Sequence, residues 1–237
     1  MAALDPDLLL RAYSVGVFPM ASTRDAADVF WVEPKKRGVL PLDGFRLSHS
    51  LAKTIRSDRF TVTADRAFRQ VVATCAEPTP ARSDTWINPQ IERAYAELHG
   101  RGHAHSIETW HEGKLVGGLY GVKLGAAFFG ESMFSRKSDA SKVALAWLVV
   151  RLRIGGFRLL DCQFITDHLA SLGAVEIGRD AYVTLLDEAL GVSAGASAPS
   201  PDFFALDRLG AAPGDDAGTV SGPISGYRIA QLLGHTS

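Results

Sequence analysis

The sequence predicts an α+β fold with helices packed on a mixed sheet, and three features carry that prediction. Between Ala104 and Glu131, strand-like runs are separated by turns at Gly113 and Gly125, which is the pattern of an antiparallel meander. Ser138 to Ile154 is the longest helical stretch, stopped by Gly155-Gly156. An apolar strand, Phe157 to Gln163, follows directly. Strands followed by a helix and another strand place helices against a mixed sheet.

The other elements follow in chain order. Asp5-Pro6 supplies an N-cap and a first-turn proline for a helix through Leu8, Leu9 and Leu10, closed by Gly16. A turn-rich segment with Pro19, Pro34, Gly38, Pro41 and Gly44 holds short extended pieces such as Asp28 to Trp31. Ser48 to Ser57 reads as a helix, Phe60 to Thr63 as a strand and Arg66 to Ala76 as a second helix. Asn88-Pro89 caps a third helix that runs to Leu98 and stops at Gly100. Beyond Gln163, Thr166 to Leu172 is a short helix closed by Gly173, and Val175 to Ile177 is a last strand. After Leu190 the chain turns to Gly, Ala, Ser and Pro, with low-complexity linker at 191–200 and 211–226. Phe203, Phe204 and Leu206 are placed to dock on the body and Ile229 to Leu233 to form a helical turn. The tail as a whole is expected to be peripheral.

Composition excludes several classes. With 46% apolar and 22% charged residues in 237, the chain can pack a core. The longest clean apolar run, Val143 to Val150, falls far short of the roughly 20 residues that span a bilayer. The N-terminus carries Asp5 and Asp7 where a secretory signal needs positive charge. Cys75 and Cys162 are too few for a disulfide framework and suit a reducing compartment. A soluble cytoplasmic protein with no membrane partner is expected. The formal net charge of −1 hides an asymmetry: nine cations face four carboxylates from Glu33 to Gln70, and two face ten from Leu160 to Ala217. Either a polyanion-facing side or a solvated helix face would show this.

Four groups of residues are chemically suggestive. Alternation along a strand puts Asp161 and Gln163 on one face and Cys162 on the other, either as a carboxylate–amide pair or as a strand end bonded to the next helix. Glu131 and two serine hydroxyls interrupt an apolar strand end beside Gly130, a glycine that permits close backbone approach, either as functional groups or as an ordinary solvated strand exit. Trp31 and Trp86, flanked by turn residues, are stacking platforms for nucleobases or plugs beneath loops. His99, His103, His105 and His111 show no metal-ligand spacing, and no Walker loop or nucleophile elbow is present.

Several blocks together resemble one family. AYSVGVFPM (12–20), Trp31…Pro34…Arg37-Gly-Val-Leu-Pro41, FTVTADRAFRQVVATCA (60–76), TWINP (85–89), AYAELHGRGHAHSIETW (94–110), KLVGGLYGVKLGAAFFGESMFSR (114–136), DASKVALAWL (139–148) and LLDCQFITDHLASLGAVEIGR (159–179) are similar to the bacterial leucyl/phenylalanyl-tRNA–protein transferases. The likeness runs in order over roughly residues 5 to 190, and GESMFSR, DCQ and HLASLGA are its specific parts.

The resemblance implies a small N-terminal domain (1–58), basic towards its end, then a catalytic domain (59–190) similar to the Gcn5-related N-acetyltransferases, and a C-terminal extension (191–237). It implies transfer of Leu or Phe, less readily Met, from aminoacyl-tRNA to proteins that begin with Arg or Lys, which marks them for N-degron degradation. Asp161 and Gln163 match the catalytic pair: Asp161 would polarise Gln163, whose amide oxygen draws a proton from the attacking α-amine. Glu131 would meet the acceptor's cationic side chain, and Trp31 and Trp86 would hold the 3′-terminal adenosine. Phe128 and Gly130 would line the acyl pocket, with Leu119 where some relatives carry Met. An aminoacyl ester is already activated, so no metal or second cofactor is implied, and juxtaposing amine and ester supplies up to about 7–11 kcal/mol of the barrier.

Two departures stand out: His49 replaces the usual Arg of a Ser-Arg-Ser triplet, and residues 191–237 have no counterpart in the family core. Two rival readings remain. A coenzyme A-dependent N-acyltransferase would need a pyrophosphate loop, and the nearest match, Gln231-Leu-Leu-Gly-His-Thr, ends wrongly. A non-catalytic tRNA-binding module would leave Asp161, Gln163 and Glu131 incidental.

Overall fold

A computed structural model describes residues 4–78, 84–191, 200–209 and 224–234. Helix α1 (Pro6–Ser14) begins at Asp5, whose side chain accepts the Asp7 N–H. Strands β1 (Phe18–Met20) and β2 (Phe30–Val32) form a small antiparallel ribbon. Then come β3 (Lys36–Val39), α2 (His49–Arg56), capped by the Ser48 hydroxyl, β4 (Thr61–Ala64) and α3 (Phe68–Cys75). Helix α4 (Pro89–Gly100) starts at Asn88, whose side chain accepts the N–H groups of Gln90 and Ile91. The meander is β5 (Ala104–His111), β6 (Lys114–Leu124) and β7 (Ala127–Ser135). It is followed by α5 (Ala140–Ile154), β8 (Leu159–Gln163), α6 (Asp167–Ser171), β9 (Val175–Gly178), α7 (Arg179–Leu190), α8 (Ala205–Arg208) and α9 (Gly226–Gly234).

The main sheet has seven strands in the order β4-β5-β6-β7-β8-β3-β9, antiparallel throughout except for the parallel pair β7–β8. That parallel pair needs a crossover, and α5 supplies it. Helix α5 is apolar around most of its circumference because it lies under the sheet with α2, α8 and α9 against it. The opposite face is covered by α1, α3, α4 and α7. Two hydrophobic clusters result, one on each side of the sheet. The α+β architecture with a mixed sheet flanked by helices is therefore as expected.

Three features differ from expectation. Lys36–Val39, read as part of a turn-rich segment, is a sheet strand between β8 and β9. Gly38 permits this, because a Cβ there would lie 2.9 Å from the backbone of Phe164 and Ile165, where the chain leaving β8 folds back. Helix α7 follows β9, so Val175 to Ile177 is the last strand but not the last element of the body.

The tail is not peripheral where it is described. Phe203, Leu206, Ile229, Ala230 and Leu233 are all buried in the α5-side cluster, because sparse apolar anchors suffice to seat polar linker chain. The Gln231 to Gly234 stretch is helical and belongs to α9, so it is no phosphate loop. Of the two low-complexity stretches, residues 192–199 and 211–223 lie outside the described residues.

Candidate active site

Strands β7 and β8 are paired from Ala127 opposite Leu159 to Phe129 opposite Asp161, and they part beyond that point. On β7, Tyr120 pairs with Ser132 and Gly121 with Gly130, which makes Glu131 the extra residue of a β-bulge. Bulges re-aim side chains, and this one turns Glu131 towards α1 and α4. On β8, Gln163 lies opposite Gly38 with φ of 61°, a left-handed conformation unusual outside glycine. A Cβ added at Gly130 would have one neighbour within 4 Å, the Asp161 carbonyl oxygen at 3.3 Å. Gly130 thus stands uncrowded where the strand pairing ends.

Asp161 is fully buried and saturated with donors. The Arg37 guanidinium donates from Nε to Oδ1 at 2.9 Å and from Nη2 to Oδ2 at 2.5 Å. The Tyr182 hydroxyl donates to Oδ2 at 2.8 Å, and the Gln163 backbone N–H donates to Oδ1 at 2.7 Å. Arg37 also donates from Nη1 to the Gly16 carbonyl at 2.9 Å and lies between the rings of Phe18 and Tyr182. Burial would lower the guanidinium's pKa, but the bonded Asp161 carboxylate reverses this and raises it. Arg37 belongs by sequence to the cation-rich segment from Glu33 to Gln70, yet it faces no solvent and is buried in this ion pair. Asp161 meets Gln163 through the backbone and not through the side-chain amide.

The amide is held by Glu131. Gln163 Nε2 donates to Glu131 Oε1 at 2.9 Å, Tyr13 donates to the same oxygen at 2.7 Å, and Tyr95 donates to Oε2 at 3.0 Å. The hydroxyls of Tyr13 and Tyr95 lie 2.5 Å apart. Gln163 Oε1 accepts no hydrogen bond among the described residues. Burial pushes the Glu131 carboxyl up to about 7, against the three donors that favour its ionised form, and Asp161 adds repulsion.

A raised carboxyl pKa makes stability depend on pH. Between the ordinary value of 4.5 and about 7, the unfolded chain releases the Glu131 proton while the folded protein keeps it. That part of the stability is complete below 4.5, falls as pH rises, and is gone above about 7; its size is about 3 kcal/mol. Glu131→Gln should flatten the urea-unfolding profile over this interval. A variant profile as steep as that of the parent would show that another group is responsible.

The remaining candidates divide between the two sheet faces. Leu119 and Phe128 are buried on the α5 face, with Leu119 opposite Met133 across β6–β7. Glu131, Asp161 and Gln163 are on the other face, bonded to Tyr13, Tyr95 and Tyr182, with Gly130 between Phe128 and Glu131 in the chain. Trp31 is 39% exposed on the β1–β2 ribbon, whereas Trp86 packs partly buried against the core. The segments bearing these two rings are tied by the Ala21 N–H, which donates to the Trp86 carbonyl at 3.0 Å.

On α2, His49, Lys53 and Arg56 are exposed at a spacing that places them along one helix face. The histidines have other employment: His105 Nδ1 lies 2.7 Å from Asp65, and the His99 ring stacks on Phe68. Sequence reasoning missed Tyr13, Tyr95 and Tyr182 and the pairing of Arg37. The available signal was a tyrosine on the apolar face of a helix, since a buried hydroxyl needs a partner.

The buried carboxylate–amide constellation lies where the parallel strands of a mixed α+β sheet part, and comparison with known proteins supplies the family. Residues 39–187 match the leucyl/phenylalanyl-tRNA–protein transferase family, and residues 2–35 match its N-terminal domain. A leucyl/phenylalanyl-tRNA–protein transferase of Rhizorhabdus wittichii is 72% identical, with 100% of both chains covered. Its counterpart from Zymomonas mobilis is 53% identical over 99% of this chain and 98% of its own. Among solved structures, a GCN5-related N-acetyltransferase-like protein from Streptococcus suis aligns at 16% identity over 72% of this chain and 63% of its own, with a TM-score of 0.33. The chain belongs to the leucyl/phenylalanyl-tRNA–protein transferase family. It is an enzyme, which sets aside the non-catalytic binding module. No helix among the described residues is long and apolar enough to cross a membrane.

Proposed function

We propose that this enzyme transfers Leu or Phe, and less readily Met, from aminoacyl-tRNA to the α-amine of proteins that begin with Arg or Lys, and so marks them for N-degron degradation. The observation that carries the reading is the clamp on Gln163. Asp161 holds its backbone and Glu131 its amide nitrogen, which leaves the amide oxygen without a hydrogen-bond partner among the described residues.

In this reading the acceptor's neutral amine donates an N–H to Gln163 Oε1 while its lone pair attacks the ester carbonyl carbon. A C–N bond forms, the ester C–O bond to the terminal ribose breaks, and the amine's proton ends on the departing ribose oxygen. Asp161 touches no substrate; it is a positioning residue that acts through Arg37 and the backbone of Gln163. The aminoacyl side chain passes Gly130 to reach Leu119 and Phe128. An apolar pocket discriminates a methylene by only about 1–3 kcal/mol, which accounts for acceptance of more than one side chain. Glu131 lies beside the attacking amine and attracts the cationic side chain of the acceptor. Trp31 and Trp86 hold the terminal adenosine.

Incubation with labelled Phe-tRNA and a peptide beginning with Arg should yield a Phe-Arg bond. Acetyl coenzyme A offered as donor should yield nothing. Retention of tRNA without peptide-bond formation, or acetylation of the peptide, would overturn the reading.

Binding of the tRNA should weaken with salt because phosphate contacts release counterions. Lys53→Ala, on the exposed face of α2, should reduce the slope of log affinity against log salt by about one. An unaltered slope would remove α2 from the tRNA path.

A further inference from the structure

Phe203 lies beyond the residues that match the family, yet its side chain is among the largest that are fully buried. Its ring stacks on Phe128 with centroids 5.8 Å apart and planes 10° from parallel, and on His105 at 4.1 Å and 15°. The surrounding chain is fixed at several points. Arg151 donates to the Phe203 carbonyl at 2.8 Å and to both carboxylate oxygens of Asp207 at 2.6 Å, and its guanidinium lies 5.0 Å from the Phe203 ring centre. The Asp202 N–H donates to the Gly155 carbonyl at 2.9 Å. Gly155 is needed there, since a Cβ would collide with the Asp202 carbonyl.

Phe128 is therefore confined from two directions. On β6, Gly121 leaves room for the Phe128 ring, which a Cβ at that position would overlap. Behind the ring stands Phe203, so the ring cannot recede. We propose that Phe203 is a specificity-determining positioning residue: it sets the depth of the acyl pocket by backing Phe128. The inference rests on the reading above that Phe128 lines that pocket. A segment of the C-terminal extension thereby helps decide which aminoacyl-tRNA is used, without touching the substrate.

The test is to measure kcat/KM separately for Leu-tRNA and Phe-tRNA, with one Arg-initiated peptide, in the full-length parent, Phe203→Ala and Phe203→Leu. Removing the ring lets Phe128 retreat and admits the larger side chain. Phe203→Ala should shift the Phe-over-Leu ratio several-fold, up to about tenfold, towards Phe. Phe203→Leu, which keeps most of the volume and preserves folding, should shift it less in the same direction; it decides the matter alone if the alanine variant does not fold. Asp207→Asn loosens the Arg151 clamp but leaves the ring, so it should slow both substrates alike. An unchanged ratio in the folded Phe203 variants, with both rates falling together, would overturn the proposal. A parent enzyme that transfers neither amino acid would instead defeat the acyl-pocket reading itself.

Discussion

Replacing Arg37 with methionine is expected to destabilise the protein by about 3–5 kcal/mol, because it leaves the Asp161 carboxylate buried and without its countercharge. The Arg37 and Asp161 side chains are 2% and 0% exposed, so water cannot substitute for the lost partner. Tyr182 and the Gln163 N–H would remain, but neither carries charge. The double variant Arg37→Met, Asp161→Asn should be clearly more stable than Arg37→Met alone, since an amide can be buried at much lower cost. Urea unfolding of the two single variants, the double variant and the parent gives the coupling directly. A loss below about 1 kcal/mol in Arg37→Met would show that the pair is hydrated and not a sealed prop beneath β8.

Shortening Gln163 to asparagine should cost about a hundredfold in transfer rate while leaving tRNA affinity near that of the parent. Asparagine tolerates the left-handed φ of 61° and keeps the amide. It withdraws that amide by about one bond length, roughly 1.5 Å, from Glu131 and from the incoming amine. Misplacement of about 1 Å is enough for a hundredfold loss when catalysis depends on orientation. Single-turnover transfer and equilibrium tRNA binding separate the two quantities. Equal loss of both would place Gln163 in tRNA binding and not in the transfer step.

Local pattern made much of the fold legible. Asp5-Pro6, Ser48 and Asn88-Pro89 are capping signals, and the structure begins helices at each. The meander announced itself through alternation and glycine turns. Lys36–Val39 escaped because half of its four residues are charged and its strand character comes from neighbours more than 120 residues away in sequence. The tail is legible in part: Phe203, Leu206 and the Ile229–Leu233 turn stand out as anchors and are buried, but how firmly five apolar anchors seat Gly/Ala/Ser-rich chain does not register until a receptive surface is present.

In the site, alternation correctly placed Asp161 and Gln163 on one face, but no local rule reveals what meets them. The bulge at Glu131 and the φ of Gln163 are departures from regular strand geometry that the sequence pattern does not announce, and the bulge re-aims the Glu131 side chain. Arg37 shows the same limit: in the sequence it is one of nine nearby cations, and only the sheet order brings it to Asp161.

The insertion of Lys36–Val39 between two strands made some 130 residues later has a consequence during synthesis. As the nascent chain leaves the ribosome, this segment emerges early with neither neighbouring edge available, and it must wait until Gly178 is exposed before both of its sides can be hydrogen-bonded. Closing so large a loop is slow relative to local pairing, so the meander from Ala104 to Ser135 forms while the N-terminal strand is still unmatched. Arg37 and Asp161 can meet only after β8 has been made, so the buried ion pair beneath Gln163 is completed late in synthesis although one of its partners is made among the first forty residues.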